Sequence, residues 1–82
     1  MPGEAKINCS IVEGLMPSEK IAQVMNADGD IEEVSVSARN ISDGRLLAFE
    51  IGRDNDRVLV ELPRESTSGR WRIWVKTAAV GA

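Results

Sequence analysis

Histidine and tyrosine are absent from this chain of 82 residues, cysteine occurs once, and no apolar run approaches the ~18 residues of a membrane span. Without histidine, the Ser-His-acid and Cys-His schemes of nucleophilic catalysis are excluded. A single cysteine cannot form an internal disulfide, which agrees with a reducing compartment. The segment Met1–Lys6 has no apolar stretch behind a basic one, so we expect no signal peptide, no membrane partner and a cytoplasmic location.

The composition is that of a small folded domain with a weak net charge. Apolar residues make up 43% of the chain, and 10 Lys and Arg stand against 13 Asp and Glu, so the formal net charge is -3. A chain of this size buries only about 60% of the surface that it exposes when unfolded, which leaves little room for a deep active site. We therefore expect one domain over residues 1–82, with residues 1–4 and 77–82 frayed, and no catalytic residue, cofactor or metal.

Turn signals recur along the chain at intervals of about ten to fifteen residues, and many of the segments between them alternate apolar and polar side chains. This spacing predicts an all-β fold. We expect a small antiparallel barrel of five to six strands, SH3-like in architecture. An OB-fold is less favoured because it normally spends a longer segment on a helix.

The first half of the chain begins with an alternating segment and an ambiguous one. Over Ala5–Glu13 the alternation puts three apolar side chains on one face: Ile7, Cys9 and Ile11. Residues 18–25 allow a strand or a short helix, because three of their apolar side chains also have helical spacing. We favour a strand, since Asn26–Gly29 is a hairpin turn that needs a strand on its near side.

Three further strands are predicted over residues 31–41, 45–53 and 57–62, and each alternation names an inward face. The expected inward side chains are, strand by strand, Val34, Val36 and Ala38; Leu47, Phe49 and Ile51; and Val58, Val60 and Leu62.

Other candidates for chemistry have simple structural explanations. Cys9 lies between two apolar residues of its strand face, where a buried thiol has a raised pKa and is inert. The segment Asn26–Ile31 resembles the middle of a calcium loop, but the two anchoring acidic positions are missing, and a hairpin turn explains it. An enzyme would need a carboxylate pair such as Asp54 with Asp56, which lie on a solvated turn.

The segment 70–76 is the one that we single out for binding. If it is a strand, Trp71, Ile73 and Val75 face inward, and the opposite face carries Arg70, Arg72, Trp74 and Lys76. Leu46 and Leu59 are expected on the outer faces of their own strands, where they would support Trp74 as an apolar patch.

Two functions fit this surface. The first is a non-catalytic interaction module that binds a protein partner or a second copy, because Trp and Arg are enriched at interface hot spots. Trp74 is then the anchor, and Arg70 and Arg72 form the charged rim. The alternative is a single-stranded nucleic-acid-binding barrel, in which the indole stacks on a base and the cations bind phosphates. A third interpretation is that the Arg side chains only cover the indole ring.

Overall fold

The computed structural model describes residues 3–81, which form an all-β structure of nine strands and two short 3₁₀ helices, η1 (Ala38–Asn40) and η2 (Thr77–Ala79). The strands are β1 (Glu4–Asn8), β2 (Ser10–Glu13), β3 (Glu19–Met25), β4 (Ile31–Ser37), β5 (Ile41–Ser42), β6 (Arg45–Asp54), β7 (Arg57–Glu61), β8 (Arg72–Lys76) and β9 (Val80–Gly81). Every pairing between these strands is antiparallel, which confirms the prediction of an all-β, antiparallel fold, although with nine strands rather than five to six. Neither short helix, within these described residues, could reach across a membrane.

The strands form two sheets. The chain passes from the large sheet to the small one at Cys9 and returns to the large one at η1. The large sheet has the order β8-β7-β6-β1-β9, with β5 also paired to β6, and the small sheet has the order β2-β3-β4. Isolated backbone bonds link the two, since the Ala27 N–H donates to the Trp74 carbonyl at 2.7 Å and the Thr67 N–H donates to the Glu33 carbonyl at 2.8 Å. The two sheets do not close into a barrel, so the SH3-like architecture is unconfirmed.

The ambiguous segment 18–25 is strand β3, and Gly29 takes the positive φ of 90° that the predicted hairpin turn after it requires. The long first strand predicted over Ala5–Glu13 is instead divided at Cys9 into β1 and β2. The strand predicted to reach residue 41 ends at Ser37, where η1 begins. Ala38 is therefore exposed rather than inward, because the period of two no longer applies to it.

The core lies between the inner faces of the two sheets and is built mainly from β-branched side chains, which suit packed strands. Residues 57–62 confirm the predicted alternation, since Val58 and Val60 of β7 are fully buried and Leu62, just after β7, is 3% exposed. The remaining core residues are Ala5, Ile7, Ala22, Val24, Val34, Val36, Leu46, Ala48, Ile73 and Val75.

The predicted inward face of β6 is wrong by one residue. Leu46 is fully buried and Ala48 is 2% exposed, whereas Phe49, predicted inward, is 54% exposed. Leu47 lies on the outer side with Phe49 and is partly buried. Ile51 falls where the pairing of β6 with β7 is irregular, and it is also only partly buried.

The turn before β6 explains this reversal. Asp43–Gly44 is a two-residue turn with φ values of 55° and 75°, which fixes how β5 and β6 pair. On the other side of β6, β1 sets Ile7 opposite Leu46 and Ala5 opposite Ala48. Because directly opposite residues share a face, the core residues of β1 bring Leu46 and Ala48 inward.

The carboxyl-terminal tail contains regular elements over the part that is described. Residues 77–79 form η2, and β9 pairs with β1, with Val80 opposite Ile7. At the other end, the Gly3 carbonyl accepts a 2.8 Å bond from Glu50, and β1 begins at Glu4. The fraying expected for residues 1, 2 and 82 lies outside the described residues.

Candidate binding surface

Strand β8 has the two-sided character that its sequence predicts. Ile73 is 2% exposed and Val75 is fully buried, while Arg72 and Lys76 are exposed on the opposite side, together with the partly buried Trp74. We call this side of the large sheet, which faces away from the core, the outer face. Trp74 is therefore held by a strand whose other side is anchored in the core.

Trp74 lies directly opposite Leu59 of β7, and both side chains are partly buried on the outer face. Leu59 in turn lies opposite Gly52 of β6, which has no side chain to cover it. A Cβ atom built at Gly52 would meet Leu59 Cβ at 3.7 Å, an ordinary contact distance. The glycine thus leaves the flank of Leu59 open beside the indole.

Phe49 extends this apolar surface, although its sequence pattern predicts an inward side chain. It lies opposite Glu61, which is two residues from Leu59 on the same face of β7. That places Phe49 diagonally from Leu59, within reach of an aromatic side chain. We define the Trp74 surface as Trp74, Leu59, Gly52 and Phe49. The Asp-Gly turn that sets the phase of β6 is the sequence signal that could have revealed it.

The cations near Trp74 are largely compensated by carboxylates. Arg72 Nε lies 3.2 Å from Glu61 Oε2. Arg70 Nη1 lies 3.8 Å from Glu32 Oε2. Lys76 makes no salt bridge within residues 3–81, and its neighbour on β7 is another cation, Arg57. The cations near Trp74 therefore form two ion pairs and one unpaired lysine among the described residues, rather than a continuous cationic surface.

Two of the predicted site residues do not join the surface. Leu46 is fully buried in the core, because of the one-residue phase of β6, so it cannot support Trp74 from outside. Arg70 precedes β8, which begins at Arg72. The Arg70 side chain instead contacts Glu32 of β4, in the small sheet. Trp71, predicted inward, is 54% exposed because it lies just before the strand, where alternation no longer fixes its side.

A buried carboxylate, also missed from the sequence, positions the loop before β8. Glu32 is 5% exposed on the inner face of β4. It accepts hydrogen bonds from Ser68 Oγ at 2.6 Å, Ser66 Oγ at 3.2 Å and Asn26 Nδ2 at 3.4 Å. These contacts hold the loop over residues 66–70 against the small sheet and so fix where Arg70 and β8 begin.

Cys9 and Asn26, which the sequence analysis considered as candidates for chemistry, have structural roles. Burial raises the pKa of the Cys9 thiol above its ordinary value, and the backbone hydrogen bond with Leu46 offsets this only in part. The Asn26 side-chain oxygen accepts bonds from the N–H groups of Asp28 and Asp30, at 3.0 and 2.9 Å. That oxygen is thus used by the hairpin turn itself.

Two open clefts lie beside the strands of the small sheet. One, of about 400 Å³, is lined in part by Met16, Glu19 and Arg64, and another, of about 300 Å³, in part by Cys9 and Met25. Neither includes a residue of the Trp74 surface. That surface is formed by the outer side chains of a sheet, a shape that suits contact with another large surface.

Comparisons of the chain with models of protein families, with curated proteins and with solved structures find no match.

Proposed function

We propose that this chain is a non-catalytic interaction module whose Trp74 surface binds a protein, either a different partner or a second copy. The observation that carries the proposal is the apolar row of Trp74, Leu59 and Phe49 on the outer face, with an Arg72–Glu61 ion pair beside it. Protein interfaces have an apolar centre and a polar rim, and Trp and Arg dominate their hot spots.

The exposed part of Phe49 indicates how much this contact could contribute. Full burial of a Phe side chain is worth about 1.5–3 kcal/mol relative to leaving it exposed. Since Phe49 is 54% exposed, covering the remainder would contribute about half of that range. The contact of a partner with Trp74 and Leu59 would add to this, and Gly52 gives it access to Leu59.

The alternative of single-stranded nucleic acid has weaker support from the same geometry. Phosphates would have to compete with Glu61 for Arg72 and with Glu32 for Arg70. Of the three cations near Trp74, only Lys76 lacks a carboxylate partner among the described residues. The test is to titrate labelled single-stranded RNA and DNA at low salt while following Trp fluorescence; we expect no saturable change. A salt-dependent affinity that Trp74→Ala and Arg72→Ala both weaken would support nucleic acid instead.

Site-specific photo-crosslinking tests the proposed function. A benzophenone amino acid replaces Phe49 in one variant and Trp74 in another, and the cells that express them are irradiated. We expect both positions to crosslink to the same polypeptide, which mass spectrometry then identifies as a partner or as a second copy.

The matched control replaces Met25, which is 58% exposed on the small sheet. It should not give the product obtained from positions 49 and 74. Equal products from all three positions, or none from 49 and 74, would contradict the proposal.

A further inference from the structure

The free edge of β2 carries a separate inference. β2 ends the small sheet and pairs only with β3, while Ser10, Val12 and Glu13 are exposed. The edges at β4 and β8 are bridged, since the Glu33 carbonyl of β4 and the Trp74 carbonyl of β8 each accept a backbone N–H. Over residues 3–81, no backbone hydrogen bond outside the β2–β3 ladder reaches the four residues of β2.

The pairing with β3 determines which groups this edge presents. The Gly14 N–H donates to the Glu19 carbonyl at 3.0 Å, so residue 14 directs its N–H toward β3. Backbone groups alternate along an antiparallel strand, so residues 12 and 10 also point toward β3. Ile11 and Glu13 therefore direct their N–H and C=O groups toward the free edge, where they match those of an extended strand.

Apart from its length of only four residues, β2 lacks the usual protections of an edge strand. β2 contains no proline or lysine, and its pairing with β3 shows no register shift. Its one charged residue, Glu13, is already compensated, because Lys20 Nζ lies 2.7 and 2.8 Å from the two carboxylate oxygens. The charge that would repel an incoming strand is thereby reduced.

We propose that β2 pairs antiparallel with β2 of a second copy, about a two-fold axis at Val12. In this register, Ile11 of each copy lies opposite Glu13 of the other copy. The N–H and C=O groups that these residues direct toward the free edge then form backbone hydrogen bonds between the two copies. Val12, which is 43% exposed, packs against the same residue of the second copy. The two small sheets join into one continuous sheet.

Neighbouring registers are less favourable. An axis at Ile11 places Glu13 opposite Cys9, whose sulfur is partly buried against the core. An axis at Glu13 places two carboxylates directly opposite one another, which is destabilising. The axis at Val12 avoids both. This surface is on the small sheet and does not depend on the Trp74 surface.

Disulfide trapping tests the register. In a Cys9→Ser background, Val12→Cys places two thiols at a non-hydrogen-bonded pair, where Cα atoms lie about 4.5 Å apart, within disulfide range. Ser10→Cys, on the same face of the same strand, is the matched control. In the proposed register, the residues at position 10 of the two chains are offset by four residues along the strands. They are then about 13 Å apart, too far to form a disulfide. We expect mild oxidation to trap a dimer with Val12→Cys and not with Ser10→Cys; equal trapping, or none with Val12→Cys, would overturn the proposal.

Sedimentation provides the second measurement and separates the two surfaces. We expect the wild-type chain to dimerise as its concentration rises, Val12→Lys to lose the dimer, and Val12→Thr, which keeps the β-branched shape, to retain it. Trp74→Glu should also retain it. A wild type that stays monomeric at millimolar concentration, or a dimer that Trp74→Glu abolishes and Val12→Lys does not, refutes the β2 pairing.

Discussion

Replacing Glu32 by alanine should lower the free energy of unfolding more than replacing a charged residue on the protein surface would. The carboxylate is 5% exposed and accepts bonds from Ser66, Ser68 and Asn26. Removing it leaves the buried Asn26 amide without this acceptor, which costs about 1–3 kcal/mol. The buried Ser66 hydroxyl loses the same acceptor but keeps Ser68 Oγ, 3.0 Å away, as a partner, so its loss is smaller.

The other two partners contribute less to this loss. Ser68 is exposed and can turn to water, and the Arg70 side chain is 61% exposed, so its ion pair contributes little. Relief from burying a charge offsets part of the loss. We therefore expect Glu32→Ala to lower the free energy of unfolding by about 2 kcal/mol.

A chain of this length has a total stability of about 4–12 kcal/mol, so the loss is a large fraction of it. Urea unfolding followed by Trp fluorescence measures it. With a slope of about 1 kcal/mol per molar urea, the midpoint falls by about 2 M.

The matched control is Glu33→Ala, on the outer side of the same strand, where the carboxylate accepts one 2.9 Å bond from Gln23. It should cost less than about 1 kcal/mol. A Glu32→Ala loss no larger than that of Glu33→Ala would refute the assignment of Glu32 as the anchor of the loop.

Three further predictions follow from the fold. Leu46→Ala should destabilise by about 2–5 kcal/mol, and Leu59→Ala by about 1 kcal/mol, because only Leu46 is fully buried; equal losses in urea unfolding would contradict the observed phase of β6. Gly44→Ala should cost about 1 kcal/mol through its φ of 75° alone, since nothing lies within 4 Å of the added Cβ. Gly3→Ala, whose added Cβ is equally unobstructed, should not change the midpoint. The raised pKa of Cys9 means less thiolate at neutral pH, so a thiol reagent should label it more slowly in the folded chain than in urea, and the difference should narrow as the pH rises. Labelling rates that coincide at every pH would contradict this.

Local patterns in the sequence were sufficient for much of the fold. Strict alternation identified the buried side of β7, and the Gly-containing turns at residues 29 and 44 have the positive φ that such turns need. In these segments one face is clearly apolar and the other polar, so a single register buries the apolar side chains.

The phase of β6 could not be read locally, because both of its faces are apolar over Leu46–Phe49. The choice between them was made by the turn before it and by pairing with β1, which is far away in the sequence. Leu46 and Phe49 therefore exchanged their expected places, and with them part of the candidate site.

The burial of Glu32 is likewise a long-range effect. Its serine partners lie 34 and 36 residues further along the chain, so nothing near it in the sequence marks it as buried. Trp74 and Leu59 were recognised as outer residues, but only the strand order could place them side by side.

Hydroxyl-radical footprinting of the chain in cells and after purification tests the Trp74 surface most directly. Phe49 and Trp71 are each 54% exposed, but only Phe49 belongs to that surface, so the two residues form an internal comparison. We predict that oxidation of Phe49 and Trp74 in cells falls well below that of the purified chain, while oxidation of Trp71 is the same in both. Oxidation of Phe49 and Trp74 that is as high in cells as in the purified chain would contradict the account.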